Sequence, residues 1–230
     1  MNSKISKTIL ALTFLLICNV YRLSAQVTVL PTTPGVNLFC QGSDLTLPAP
    51  TGDESWIVKY SATQTTMPTL GVALTGNKIS ATDLKTGYYY LSSKSAAAGA
   101  CESSMQEIPV YVLKPLVPAF TPAGFCVETP VAQVGSVTNP EDPTITTLAY
   151  QWYTVSGSTE SIIAGATNPS YTPTAPTVGT TTYRLKVGYV INGNKYCAQI
   201  VDHDVNITAK PTKPTITIGT VNGTAAAVTF

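Results

Sequence analysis

Between Thr181 and Val187 the chain alternates, with Tyr183, Leu185 and Val187 on one side and Arg184 and Lys186 on the other. A period of two over this length predicts a half-buried β-strand. Asn192-Gly193 follows, a pair suited to a two-residue hairpin because both central positions need positive φ. The return strand is predicted from about Lys195 to Thr208. Upstream, Tyr150 and Trp152 point one way while Gln151 and Tyr153 point the other. The earlier half repeats the pattern. Trp56, Val58 and Tyr60 share a face, as do Tyr89 and Leu91, and Gly76-Asn77 and Lys85-Thr86-Gly87 mark turns. No segment beyond the first 25 residues keeps a helical period. Short strands with turn signals between them predict an all-β fold, an antiparallel sandwich.

The halves are copies. Trp56, Tyr89, Leu91, Cys101 and Pro115 recur as Trp152, Tyr183, Leu185, Cys197 and Pro211. Cys101 to Pro115 and Cys197 to Pro211 are both intervals of 14 positions. A Pro-x-x-Pro opens each unit, at Pro31/Pro34, Pro115/Pro118 and Pro211/Pro214. The sequence therefore predicts two tandem β-sandwiches, 26–115 and 116–211. Residues 212–230 read as a tail or the start of a truncated third repeat. Within that tail, Thr215-Ile216-Thr217-Ile218 has the character of an unpaired strand, able to join a neighbour's sheet edge.

Residues 1–25 read as a signal peptide. Lys4 and Lys7 precede an apolar run from Thr8 to Val20, and Leu23-Ser24-Ala25 supplies a small residue at the cleavage position. The run is short for a membrane-spanning helix. Cys18 follows Leu15-Leu16-Ile17, but Ile17 stands where a lipoprotein signal needs a small residue. No later stretch is long and apolar enough to span a bilayer. The expected location is secreted or cell-surface, with the periplasm as the other exported compartment.

Loss of Lys4, Lys7 and Arg22 takes the formal charge from +1 to −2. No basic surface is left to attract nucleic acid. Charged residues make up 11% of the chain, well below the roughly 25% of an average soluble protein. Thr, Ser, Pro and Val take their place, which suits short strands and turns.

Four cysteines remain after export: Cys40, Cys101, Cys126 and Cys197. An even number in an exported chain points to disulfides, with three possible pairings. The repeat favours Cys40–Cys101 and Cys126–Cys197, one bridge closing each copy. Zinc is disfavoured because no two cysteines lie close together and the only histidine is elsewhere.

An inward Trp on a middle strand, followed by a Tyr after a Gly-containing turn, resembles the immunoglobulin-like sandwich. There the Trp fills the core and the Tyr hydroxyl ties a corner. Trp56, Tyr89, Trp152 and Tyr183 are the core signature on this resemblance. Leu91 and Leu185 stand where antibody domains place a cysteine. Other matches are Phe39-Cys40-Gln41-Gly42-Ser43 with Leu45 and Leu47, Tyr150-Gln151-Trp152-Tyr153, Gly165-Ala166-Thr167 with Ser170-Tyr171-Thr172, and Gly179 to Leu185. Together they resemble the immunoglobulin-like repeats of large secreted and surface proteins of Bacteroidota, over roughly Pro31 to Pro211. The resemblance implies a spacer, an adhesive stalk or an accessory module.

Candidate chemistry is sparse. His203 lies in Asp202-His203-Asp204, but strand geometry turns it away from both aspartates, toward Val201 and Val205. A serine-nucleophile elbow and a phosphate-cradling glycine loop are missing from the sequence. Asp53-Glu54 and Glu141-Asp142 each precede a Trp strand and read as solvated loops, with weak Ca²⁺ binding as the sharper reading. Tyr88 and Tyr90 flank Tyr89 and are expected side by side on the outer face, where they would stack on a sugar or anchor a protein. The expectation is a non-enzymatic module without a cofactor or metal, for spacing, adhesion or protein–protein contact at the cell surface. The alternatives are a carbohydrate-binding module and an accessory part of a secreted hydrolase.

Overall fold

The computed structural model describes residues 27–215. The signal peptide of 1–25 and most of the 212–230 tail, including Ile216 to Ile218, lie outside the described residues. All fifteen regular elements among the described residues are strands. Contacts divide the chain into two compact units. Unit 1 takes residues up to 117 together with 137–149 and 187–199, and unit 2 takes 118–136, 150–186 and 200 onward.

Unit 1 contains β1 (Asn37–Cys40), β2 (Leu45–Thr46), β3 (Glu54–Ser61), β4 (Leu70–Val72), β5 (Lys78–Ile79), β6 (Gly87–Ser95) and β7 (Gln106–Leu113). Five of them form a sheet in the order β1-β7-β6-β3-β4, and β2 pairs with β5 in a second, small sheet. The core lies between them. Leu45, Leu47, Ile79 and Leu84 meet Val58, Tyr89, Leu91 and Val110. Burying an aliphatic or aromatic side chain of this size stabilises by roughly 1.5–3 kcal/mol. Gly87 shows how closely β6 lies against its neighbour β3 in the same sheet: at φ 155°, a Cβ there would sit 2.6 Å from the Ser61 carbonyl.

The remaining strands are β8 (Val117–Thr121), β9 (Phe125–Cys126), β10 (Gln133–Thr138), β11 (Leu148–Ser156), β12 (Thr159–Ile162), β13 (Ser170–Tyr171), β14 (Gly179–Ile191) and β15 (Asn194–Thr208). They form a five-stranded sheet, β12-β11-β14-β15-β9, and a three-stranded one, β13-β10-β8. In unit 2, Trp152 is fully buried, edge-on to Phe120 with ring centroids 5.0 Å apart. Its indole N–H donates to the Asn168 carbonyl at 3.0 Å. The turn at Asn192-Gly193 has the expected positive φ at both positions, 50° and 79°.

The first strand of each copy runs parallel to its last. β1 pairs with β7 from Asn37↔Val110 to Cys40↔Leu113. β9 pairs with β15 through Ile207↔Phe125 and Thr208↔Cys126. Tyr89 ties the expected corner: its hydroxyl accepts from Lys85 N at 2.8 Å and donates to Lys85 O at 3.2 Å. Two facing sheets with these parallel closures and an inward Trp and Tyr make the fold an immunoglobulin-like β-sandwich.

The cysteine pairing differs from the expected one. Cys40 bonds to Cys197, with Cα atoms 5.4 Å apart, while Cys101 and Cys126 are free thiols. Register explains both failures. Cys40 lies at the Leu113 end of β7, and Cys101 lies before its Gln106 end, roughly 24 Å of strand away. Cys126 sits beside Thr208, on the order of 35 Å along β15 from Cys197. A disulfide needs Cα atoms within about 7 Å. Cys197 has φ 50° inside a strand, the mark of a bulge that re-aims a side chain. The bond therefore joins the first copy's leading cysteine to the second copy's trailing one, 157 positions apart, within unit 1.

Closing so long a loop stabilises by up to ~5 kcal/mol in the chain-entropy model. Cys40→Ala is expected to lose most of that in urea unfolding, whereas Cys101→Ser is expected to change little. A non-reducing peptide map should join the Cys40 and Cys197 peptides and leave two free thiols. Recovery of a 40–101 or 126–197 peptide would contradict this strand register.

Candidate interaction surface

The outward tyrosines are not a surface. Tyr88 and Tyr90 are 2% and 4% exposed. Tyr90 Oη accepts a hydrogen bond from Thr65 N at 2.8 Å. The connection that follows β3 is held in turn by the N-terminal segment, through a bridge between Thr28 and Thr63 and a bond from Gln64 N to the Val27 carbonyl. The alternation that placed these side chains on the outer face is correct; the expected exposure fails because another piece of chain covers that face. Burial also pushes both phenols above their usual pKa range.

The paired carboxylates part company. Asp53 accepts from Ser95 Oγ at 2.8 Å, and Glu54 opens β3 opposite Ser95. Asp142 is exposed, but Glu141 is only 6% exposed, so the reading of that pair as a solvated loop is corrected. One Glu141 carboxylate oxygen accepts from Tyr111 Oη at 2.7 Å and the other from Lys114 N at 3.0 Å. Its own N–H donates to Asn139 Oδ1. Tyr189 Oη donates to the Lys114 carbonyl at 3.0 Å. All of these residues belong to unit 1. The carboxylate is a structural acceptor, tying the segment after β7 to the loop at 139–145. Burial, then the Glu141 hydrogen bond, raises the Tyr111 phenol beyond the ordinary titration range. Burial pushes Tyr189 up to about 12.

In unit 2 the Asp202-His203-Asp204 run splits across the strand as expected. His203 packs edge-on against Phe120 at 4.7 Å. Asp202 takes both arms of Arg184 at 2.7 Å, and Asp204 accepts from Thr182 Oγ1. Arg184 also reaches Glu160 at 2.9 Å, and Lys186 reaches the other Glu160 oxygen at 2.8 Å. The Lys186 ammonium lies 4.6 Å over the Tyr153 ring. Arg184 holds the Asp202 carboxyl below its usual range, and Lys186 with Arg184 does the same for Glu160. These groups are largely solvated, so each pair contributes little. Among the described residues no group of three or more His, Cys, Asp or Glu side chains could hold a metal ion.

What stands open is a sheet edge. β4 ends the five-stranded sheet of unit 1, paired only with β3. Beside it lies a cleft of about 180 Å³ lined by Tyr60, Leu70–Ala73, Asp83 and Lys85. Small-molecule sites usually run to 300 Å³ or more. Leu70 and Met67 are 59% and 81% exposed. Periodicity does not single out this stretch. Its one signal in the sequence is missing charge: from Ser61 to Asn77 there is no charged residue.

No protein-family model matches the sequence, and no curated protein is significantly similar to it. Solved structures with a related arrangement include the fibronectin(III)-like modules of Clostridium thermocellum CbhA, at 11% identity and a TM-score of 0.35, covering 80% of this chain and 96% of that one. The amphioxus IgVJ-C2 molecule is matched at 16% identity and a TM-score of 0.30, over 74% and 99%. The N-terminal four Ig domains of Dscam1 isoform 7.44 are matched at 14% identity and a TM-score of 0.29, over 80% of this chain and 46% of that one. What places this chain among immunoglobulin-like sandwiches is its own strand order and inward aromatics.

The buried cluster can be measured in two ways. Glu141→Ala leaves Tyr111 Oη and Lys114 N without their acceptor, and is expected to cost on the order of 2–4 kcal/mol in chemical unfolding. The raised tyrosine pKa values set an alkaline limit. Unfolded tyrosines ionise near pH 10, while Tyr111 and Tyr189 hold their protons when folded, so this part of the stability is complete below pH 10 and is lost as pH rises through the folded values. The melting temperature should fall above about pH 10, and less steeply in Tyr189→Phe. An equal slope in the variant would remove Tyr189 from the account.

Proposed function

We propose that this chain is a non-enzymatic, exported interaction and spacer module, built as two immunoglobulin-like sandwiches over 26–115 and 116–211 and displayed at the cell surface. The observation that carries this reading is how the reactive groups are used. Glu141 ties its loop to Tyr111 and Lys114, Asp202 and Asp204 bond to Arg184 and Thr182 of the neighbouring β14, and His203 packs on Phe120. The disulfide and the sandwich fold are consistent with a secreted or extracellular domain. Among the described residues no helix is long and apolar enough to cross a membrane.

The carbohydrate-binding alternative loses its support with the burial of Tyr88 and Tyr90. Changing either to Ala is expected to lower stability by about 3–5 kcal/mol, as for other buried aromatics, without altering binding across a glycan panel. Glycan binding lost at unchanged stability would restore that alternative. The surface reading is tested by adding protease to intact expressing cells: complete digestion of the chain while a cytoplasmic marker survives is expected. Full protection until the cells are broken would reject display at the surface.

A further inference from the structure

We propose that the Cys40–Cys197 bond makes this chain a tether of capped length: tension between its two ends passes through the bond and bypasses the 157 positions that separate the two cysteines. A stretched chain lengthens only where the covalent path between the pulled points holds slack. From the amino end that path runs along β1 to Cys40, crosses the two sulfurs, and leaves along β15 from Cys197. Everything from Gln41 to Tyr196 hangs from it as a closed loop. Strands β2 to β14 lie wholly inside that loop, as do residues 118–136 and 150–186 of unit 2. Unfolding of those strands therefore adds nothing to the distance between the ends. A stretch of 157 positions would extend over about 520–560 Å. Closed by the bond, it contributes only the 5.4 Å between the two Cα atoms.

The path itself holds little slack. Asn37–Cys40 and the part of β15 from Cys197 to Thr208 are already strands, rising about 3.3 Å per residue, close to the limit of an extended chain. The β15 part is further held to β14 by Arg184 on Asp202 and Thr182 on Asp204. Cys197 sits in this strand with φ 50°, so its side chain leaves the alternation of its neighbours, and its sulfur meets Cys40 instead of a partner within its own copy. The two remaining thiols, Cys101 and Cys126, both lie inside the loop and are unbonded, so they neither shorten nor lengthen the path. An oxidising compartment outside the cytoplasm preserves such a bond. This inference rests on the exported-spacer reading and deepens it: the spacer keeps its length under tension even when its sandwiches unfold.

The test is single-molecule pulling on the full mature chain, held by peptide tags at its two ends. The readout is contour length at high force, which does not depend on whether a variant folds. Residues 26–40 and 197–230 together reach about 170 Å at most, and the oxidised wild type should stop there. Dithiothreitol should then release about 520–560 Å more. One of its thiolates attacks a sulfur of the bridge, the other closes the reagent's own disulfide, and both cysteines are left as thiols. Cys197→Ser should reach the longer contour without reductant, and decides alone where the dithiol does not reach the bond. Cys101→Ser combined with Cys126→Ser should keep the cap. An oxidised wild type extending well past about 170 Å, a cap that persists in Cys197→Ser, or a cap lost in the double variant would each overturn the proposal. A displayed chain without a cap would sink the tether and leave the spacer reading intact. A capped chain shielded from protease on intact cells would keep the tether and reject display.

Discussion

Parallel pairing of the first strand of each copy with its last is the constraint that orders the rest. Neighbouring strands of a sandwich are joined most easily by antiparallel hairpins, and a parallel pair needs the whole intervening chain to return to its start. β1 on β7 and β9 on β15 do this, so each closure waits on every strand between. The same pairing fixes where the ends of strands fall. It carries Cys40 to one end of β7 and Cys126 to the far end of β15, and thereby selects which thiols can meet. The core then follows from alternation: with the register set, Tyr89, Leu91 and Val110 face Leu45 and Ile79 without further instruction.

A chain with few charges must hold its irregular segments by other means. In this protein tyrosine hydroxyls, donating at some sites and accepting at others, do it. Tyr89 ties the corner at Lys85, Tyr60 bonds the Thr86 carbonyl, Tyr90 holds Thr65, and Tyr111 and Tyr189 engage Glu141 and Lys114. Each ring fills core volume while its hydroxyl satisfies a backbone or carboxylate group that would otherwise be orphaned. That double use is why stability leans on phenols remaining protonated, a dependence that surface ion pairs would not create.

Legibility in the sequence tracks how local each cause is. The strands, the Asn192-Gly193 hairpin, the inward Trp152 and Tyr183 and the splitting of Asp202-His203-Asp204 all follow from residue spacing, and the structure has them. Trp56 is the repeat equivalent of Trp152, yet it is only half-buried, donating to the Pro48 carbonyl at the rim of its core. Cysteine pairing is not legible, because equivalent positions in two copies need not have equivalent neighbours. The burial of Tyr88 and Tyr90 is hidden for a similar reason: period two assigns a side chain to a face, but what covers that face comes from residues 27–29 and 63–65, remote in sequence. Glu141 reads as solvated because a carboxylate in a loop normally is. Its two donors come from Tyr111 and Lys114, about a third of a domain away in sequence.

An edge strand left without charge is the more informative for being in a protein that places its few charges so selectively. Glu160, Arg184, Lys186 and Asp202 are gathered across the face that leads to the β12 edge, and Glu128 and Lys210 flank the β9 edge. Guarding a sheet costs little: one lysine on an exposed strand is enough to discourage pairing. Gly71 has open space around it, so packing does not forbid a larger or charged side chain there. β4 is guarded instead by its length: three residues offer an incoming strand few backbone partners.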